Sequence, residues 1–141
     1  HMMILAVGGH YTYAEVPLFN NIRDAFGASR NEFDKVGHFF QGITPALLIR
    51  EIILRKTDLK NNKMIFTFCV SCALAFSALY EIFEWIIAVT TGEGADFVSM
   101  QGDIWDAQKD ILTAFLGAIF ILVFFRKIHD KSLTKIQKSI A

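Results

Sequence analysis

The chain has 141 residues, which is enough for a single domain (1–141), and 53% of them are hydrophobic. This share, together with a mean hydropathy of +0.39, is high for a soluble domain of this size and predicts a small membrane protein. The formal net charge is zero, so no basic field indicates a nucleic-acid partner.

The N-terminal stretch is predicted to lie at the membrane surface rather than across it. His1-Met2 is typical of an expression-tag remnant (residues 1–2). The apolar run Met3–Val7 is shorter than the roughly 20 residues that a bilayer crossing requires. Because aromatic and charged side chains alternate after it, we expect residues 3–32 to form an interfacial segment with a short amphipathic helix over Phe19–Phe26.

Three later stretches are long and apolar enough to cross a membrane, at about 33–54, 64–91 and 104–125. At 1.5 Å per residue, each covers the roughly 30 Å of hydrocarbon. In lipid the backbone polar groups must be satisfied within the segment, which favours helices over strands. The predicted fold class is therefore all-α, a membrane-embedded bundle of three transmembrane helices plus the N-terminal interfacial segment.

The charges that flank these stretches predict an orientation. Both the first connection and the C-terminal tail are rich in lysine and arginine, whereas the second connection contains Glu93, Asp96 and Asp103 without a basic residue. By the positive-inside rule, the first connection and the C-terminus face the cytoplasm, and the acidic connection faces outward. The basic residues are Arg55, Lys56, Lys60 and Lys63 in the connection, and Arg126, Lys127, Lys131, Lys135 and Lys138 in the tail.

Small residues recur four positions apart on each predicted transmembrane helix. This spacing places both members of a pair on one helix face, where they allow another helix to approach closely. The pattern predicts helix packing rather than a binding site. The pairs are Gly42 and Ala46, Ala73 and Ser77, and Ala114 and Ala118.

Each predicted transmembrane helix also carries ionisable residues near its outward end. The residues that share a helix face are Asp34, His38 and Gln41 on the first helix, Glu81 and Glu84 on the second, and Asp103, Asp106 and Asp110 on the third. At about 1.5 Å per residue, His38, Glu84 and Asp110 lie roughly 6–10 Å below the outer boundary. Three helices therefore place ionisable groups at a similar depth, which predicts one shared site that faces inward in the bundle.

Ionised carboxylates in hydrocarbon each cost on the order of 2.5–3.5 kcal/mol, so the cluster requires a partner. Lys35 and Lys109 are the nearest cations, and Arg23 or Arg30 could reach the cluster from the interfacial segment. Three further possibilities remain open: one divalent metal ion of unidentified element, a cationic ligand, or a hydrogen-bond network in which the carboxylates share protons. Asp34 has the alternative role of capping the first helix, and Asp103 that of capping the third.

For the metal ion, we predict that the ligands are chiefly His38, Glu84 and Asp110. Carboxylates with one or two imidazoles suit zinc, manganese or iron, and carboxylates alone suit magnesium or calcium. The further residues predicted to bind are His10, Asp34, Gln41, Glu81, Asp103 and Asp106.

Four motifs resemble the YjdF-like inner-membrane proteins, a bacterial family. They lie at 8–17 (GGHYTYAEVP), 34–42 (DKVGHFFQG), 76–85 (FSALYEIFEW) and 101–110 (QGDIWDAQKD), so the resemblance spans nearly the whole chain. It implies a multi-pass protein of the bacterial inner (cytoplasmic) membrane, with further membrane helices ahead of the first motif that this chain lacks, and it implies no reaction. A more distant similarity is to VanZ-like membrane proteins, which are associated with glycopeptide-antibiotic resistance.

These observations predict a membrane protein with an outward-facing acidic and histidine-containing site that binds a metal ion or a polar ligand. An enzymatic form would act on a lipid or envelope precursor as a metal-assisted hydrolase or transferase, with His38 or Glu84 as the base. Two alternatives stay open. One is a structural or ligand-recruiting bundle that self-associates as a homo-oligomer; the other is a small ion-coupled transporter that uses Glu81 and Glu84.

Overall fold

The computed structural model describes residues 1–91 and 101–140, and in these ranges the chain forms helices and no strands. The predicted outward loop that contains Glu93 and Asp96 lies outside the described residues. The all-α fold class is confirmed. The helices are α1 (Met2–His10), α2 (Pro17–Phe26), α3 (Phe33–Lys56), α4 (Asn62–Thr91), α5 (Asp106–Phe124) and α6 (Arg126–Ile140).

The three long helices α3, α4 and α5 form the bundle, and each of them packs against the other two. All six small residues of the predicted packing pairs are buried, so that prediction is confirmed. The approach is closest between α3 and α5. A Cβ atom on Gly42 would overlap the backbone carbonyl of Ala114, and one on Gly117 would overlap the backbone carbonyl of Phe39.

The distribution of apolar side chains suits a lipid environment. Large apolar residues such as Phe76, Leu79 and Leu116 are exposed on the outside of the bundle. Its interior contains small residues, polar residues and a few larger apolar ones such as Ile65 and Leu122. In the most apolar windows of α4 and α5, 28% of the residues are buried. An exposed apolar surface of this extent is unfavourable in water and favourable in hydrocarbon, where small residues mediate helix contacts.

Among the described residues, two helices are long and apolar enough to span a membrane, Asn62–Thr90 and Asp106–Phe124. Helix α3 has 24 residues, but it is not one of these two helices, and it contains polar as well as charged side chains. Three of its polar residues, Asp34, His38 and Arg50, are buried inside the bundle. The count of three transmembrane helices is therefore a prediction that the apolar lengths alone do not confirm.

The segment before the bundle contains the two short helices. The amphipathic helix predicted over residues 19–26 is present and begins at Pro17, because proline suits the first position of a helix. It ends at Gly27, whose φ of 63° is a conformation that glycine adopts readily. Helix α1 packs against α3, which brings the turn after α1 close to the bundle.

The proposed capping role of Asp34 is wrong, because Asp34 lies inside the first turn of α3, whose N-cap residue is Glu32. Asp103 precedes Trp105, the N-cap residue of α5. Its side chain accepts a hydrogen bond from the Trp105 backbone N–H, at 3.0 Å, as a residue that caps this end of the helix would. Both carboxylates are also held by basic side chains.

Both ends of the bundle contain buried polar contacts. We call the end formed by the N-termini of α3 and α5 and the C-terminal half of α4 the polar end. At the opposite end the buried Arg50 contacts α6 through Nη1 to His129 Nδ1, at 2.9 Å, and through Nη2 to Asp130 Oδ1, at 2.5 Å. Since Arg50 is 5% exposed, these bonds tie the start of α6 to α3.

Candidate functional site

Arg30, which lies just before α3, is the centre of an ion-pair network at the polar end. It is 7% exposed, and its Nη1 lies 2.6 Å from Asp106 Oδ1 and 3.3 Å from Asp103 Oδ2. Its Nη2 donates to Asp34 Oδ2. One guanidinium therefore joins three aspartates, Asp34 in α3, Asp106 in α5 and Asp103 in the segment that precedes α5. The fixed fork of donors of an arginine is well suited to this use.

Lys35 is the second cation of the network. Its Nζ lies 2.8 Å from Asp106 Oδ1, 2.8 Å from Asp110 Oδ1 and 3.3 Å from Asp34 Oδ2. The carboxylate oxygens of Asp34, Asp106 and Asp110 all lie within 4.8 Å of one another. Because Lys35 contacts all three and Arg30 two of them, protein cations already neutralise most of the charge that a metal ion would balance there.

The pKa shifts of Arg30 and Asp103, at the rim of the network, both favour the charged form. Burial lowers the pKa of the Arg30 guanidinium, but the charges of Asp34 and Asp106 outweigh burial, so the pKa is raised. For Asp103, the hydrogen bond from Lys109 Nζ, at 2.5 Å, lowers the carboxyl pKa, and a bond from the backbone N–H of Trp105 acts in the same direction.

A second group of converging side chains lies beside the network, deeper in the bundle. Ligand atoms of His38, Glu81 and Asp110 all lie within 4.8 Å of one another. His38 Nε2 is 3.5 Å from Glu81 Oε1 and 3.8 Å from Asp110 Oδ1. His38 is 5% exposed, yet within residues 1–91 and 101–140 its Nδ1 has no hydrogen-bond partner, and neither has Glu81 Oε1. Buried imidazole and carboxylate atoms without a hydrogen-bond partner are rare in proteins.

Two of these residues, His38 and Asp110, line a small cavity, which we call the His38 cavity. Its volume is about 10 Å³, roughly the space that one water molecule or one ion occupies. The ring of Tyr80 packs edge-on against His38, with ring centroids 5.7 Å apart. The lining residues are Leu5, Tyr13, Asp34, Gly37, His38, Gln41, Tyr80, Glu84 and Asp110.

Tyr13 reaches this cavity through an uncommon backbone turn. Thr12 and Tyr13 have φ values of 55° and 56°, a left-handed conformation that is costly for residues other than glycine and often marks a functional site. The turn lays the Tyr13 ring against Gly8, where a Cβ atom would overlap the ring. Burial raises the pKa of the Tyr13 hydroxyl.

The predicted site residues fall into three groups in the structure. His38, Glu84, Asp110, Asp34 and Gln41 line the His38 cavity, and Glu81 contributes a converging ligand atom. Asp103 and Asp106 belong to the ion-pair network. His10 is exposed and packs on Tyr11 rather than on the cavity.

Arg30 and Lys35 were predicted only as nearby cations, whereas both are part of the site. Tyr13 and Tyr80 line the cavity and were not predicted as site residues. The available signal was their position within the two motifs that contain His10 and Glu81.

A bundle of helices with an apolar exterior and a buried acidic and histidine-containing site at one end defines a helical membrane protein. The chain belongs to the family described as "Predicted membrane protein (DUF2238)", whose model matches residues 1–131. It is 47% identical over 137 residues to the inner membrane protein YjdF of Escherichia coli (strain K12). That match covers 96% of this chain and 65% of the relative, so the chain spans about two thirds of the relative's length.

No solved structure matches the chain. The family and the relative confirm the resemblance to YjdF-like inner-membrane proteins. The distant similarity to VanZ-like proteins is not supported by these comparisons.

Proposed function

We propose that the protein holds one divalent metal ion at the edge of the His38 cavity, with His38, Glu81 and Asp110 as its protein ligands. The observation that carries the proposal is the convergence of these three ligand atoms within 4.8 Å of one another. Ligands that each lie about 2.0–2.2 Å from one ion are at most about 4.4 Å apart, so a small inward movement completes the set. One imidazole with two carboxylates suits zinc, manganese or iron.

Two sets of side chains could hold an ion, and the atoms without a hydrogen bond favour the set that contains His38. The other set is Asp34, Asp106 and Asp110. Among the described residues, His38 Nδ1 and Glu81 Oε1 are buried without a hydrogen-bond partner, whereas the oxygens of Asp34 and Asp106 already accept bonds from Arg30 or Lys35. Asp110 belongs to both groups, because its Oδ1 lies 2.8 Å from Lys35 Nζ and 3.8 Å from His38 Nε2. Glu84 lines the same cavity but lies outside the converging set, next to it.

Metal content and thermal stability test this proposal. In detergent-purified protein we expect about one divalent ion per chain by elemental analysis. Because an ion that binds only the folded state stabilises it by mass action, chelator should lower the melting temperature, and re-added metal should restore it. Glu81→Gln should remove the ion and the chelator response, since the amide keeps the shape of the side chain and loses its charge. Glu51→Gln, at the opposite end of α3, is the matched control and should keep both.

A metal-free protein whose melting temperature is insensitive to chelator would overturn the metal site. In that case the carboxylates share protons in a structural network, for which the bonds of Arg30 and Lys35 already provide a framework. If Glu81→Gln left the melting temperature unchanged or raised it, that result would also indicate shared protons, because a carboxylate without a cation is costly in the bundle.

The orientation of the bundle is a second part of the proposal. We infer that the polar end faces outward and that the basic connection and α6 face the cytoplasm, as the positive-inside rule requires. In a background with Cys69 and Cys72 replaced by alanine, a membrane-impermeant thiol reagent added to intact cells should label Asp24→Cys and spare Lys60→Cys. Labelling of position 60 alone would reverse the orientation and place the site on the cytoplasmic side.

A further inference from the structure

A groove of about 100 Å³ lies between the turn after α1 and the C-terminal half of α4. It is separate from the His38 cavity but shares three wall residues with it, Tyr13, Tyr80 and Glu84. Thr12 and Phe83 are among the other lining residues. The groove is therefore a second binding space directly beside the proposed metal site.

The chemistry of the groove is aromatic and acidic. Three of its lining side chains carry aromatic rings, Tyr13, Tyr80 and Phe83, and Glu84 is its one ionisable carboxylate. Among the described residues, no basic side chain lies within 4 Å of the Glu84 carboxylate, although three aspartates nearby each have a cationic partner. Aromatic rings around a carboxylate attract an ammonium group, through the ring faces and through the negative charge.

The position of the groove indicates a membrane lipid as the source of that ammonium. Phe83 is 59% exposed, so one wall belongs to the surface that α4 presents to lipid. Helix α4 has 30 residues, about 45 Å in length, which exceeds the roughly 30 Å of hydrocarbon and carries its ends into the headgroup layers. Glu84 lies seven residues from the C-terminus of α4, or about 10 Å along the helix, within reach of a headgroup.

We propose that this groove binds the amine-bearing headgroup of a phospholipid, with the carboxylate of Glu84 paired to the ammonium and the rings of Tyr13 and Tyr80 around it. The bound headgroup would place its phosphate toward the His38 cavity or toward solvent. The proposal deepens the proposed function by naming a ligand class for the adjoining site, but the ammonium contact itself does not require the metal ion.

Lipid binding measured by native mass spectrometry in detergent tests the proposal. The probes are short-chain phosphatidylethanolamine and the same lipid acetylated on its nitrogen, which removes the positive charge and keeps the phosphate and the acyl chains. We expect the unmodified lipid to bind at least tenfold more tightly. Glu84→Gln should lose most of that preference, and Glu51→Gln, which changes a carboxylate far from the groove, should retain it.

The probe comparison on the unsubstituted protein stands even if Glu84→Gln fails to fold. Equal binding of the two lipids would overturn the proposal, and so would an unchanged preference in a folded Glu84→Gln variant. If free ethanolamine competes as well as the lipid does, the assignment to a lipid headgroup is wrong. Repeating the titration in chelator separates this proposal from the metal site, because the preference for the ammonium lipid should persist when the ion has been removed.

Discussion

Replacing Arg30 by methionine is expected to lower the free energy of unfolding by about 3–5 kcal/mol, the usual cost of removing one partner from a buried ion-pair group. Methionine fills a similar length but leaves the carboxylates of Asp34, Asp103 and Asp106 without their shared guanidinium. Lys35 still contacts Asp34 and Asp106, and Lys109 still contacts Asp103, but neither lysine replaces the group that joins all three. Thermal or denaturant unfolding in detergent measures the loss.

Two further variants show whether the loss of stability comes from the ion pairs of Arg30. Arg23→Met removes an arginine that pairs with the exposed Asp24, so its unfolding should change little. Arg30→Lys keeps the charge but loses the fork that bonds two carboxylates at once, so its stability should fall between those of the parent and Arg30→Met. If Arg30→Met were as stable as the parent, the aspartates would be protonated in the folded protein, and the network would not depend on ion pairing.

The second large effect is expected where α3 and α5 meet. Gly42→Ala adds a single methyl group, yet that Cβ atom would overlap the backbone carbonyl of Ala114. Because the obstacle is backbone rather than a flexible side chain, the two helices must separate, and we expect a loss of about 1–3 kcal/mol in the free energy of unfolding. The separation should also weaken metal binding, since His38 lies on α3 and Asp110 on α5.

Gly9→Ala is the matched control for this prediction. Gly9 is also helical, in α1, but a Cβ atom there would meet nothing within 4 Å. Alanine is favoured over glycine inside a helix by roughly 0.5–1 kcal/mol, so this variant should be neutral or slightly stabilised. An equal melting temperature for Gly42→Ala and the parent would mean that the helix contact is looser than the structure indicates.

Local properties of the sequence determined the helices and the composition of their interface. Long apolar runs and the absence of strand patterns predicted the bundle, because bilayer thickness and backbone hydrogen bonding limit what can cross a membrane. The four-residue spacing of small residues predicted which faces pack, and Ala46, Ala73 and Ala118 are fully buried. The depth of His38 and Asp110 along their helices predicted that they would lie at the same level.

Only the tertiary structure decided which groups become partners. Arg30 is 76 residues away from Asp106 in sequence, and no local pattern brings these two side chains together. Glu81 and Glu84 lie one turn apart on the same face of α4, so the choice between them depends on the rotation and tilt of that helix against α3 and α5. Tyr13 enters the cavity through the left-handed turn at Thr12, a conformation that side-chain propensity disfavours and that packing against Gly8 holds in place.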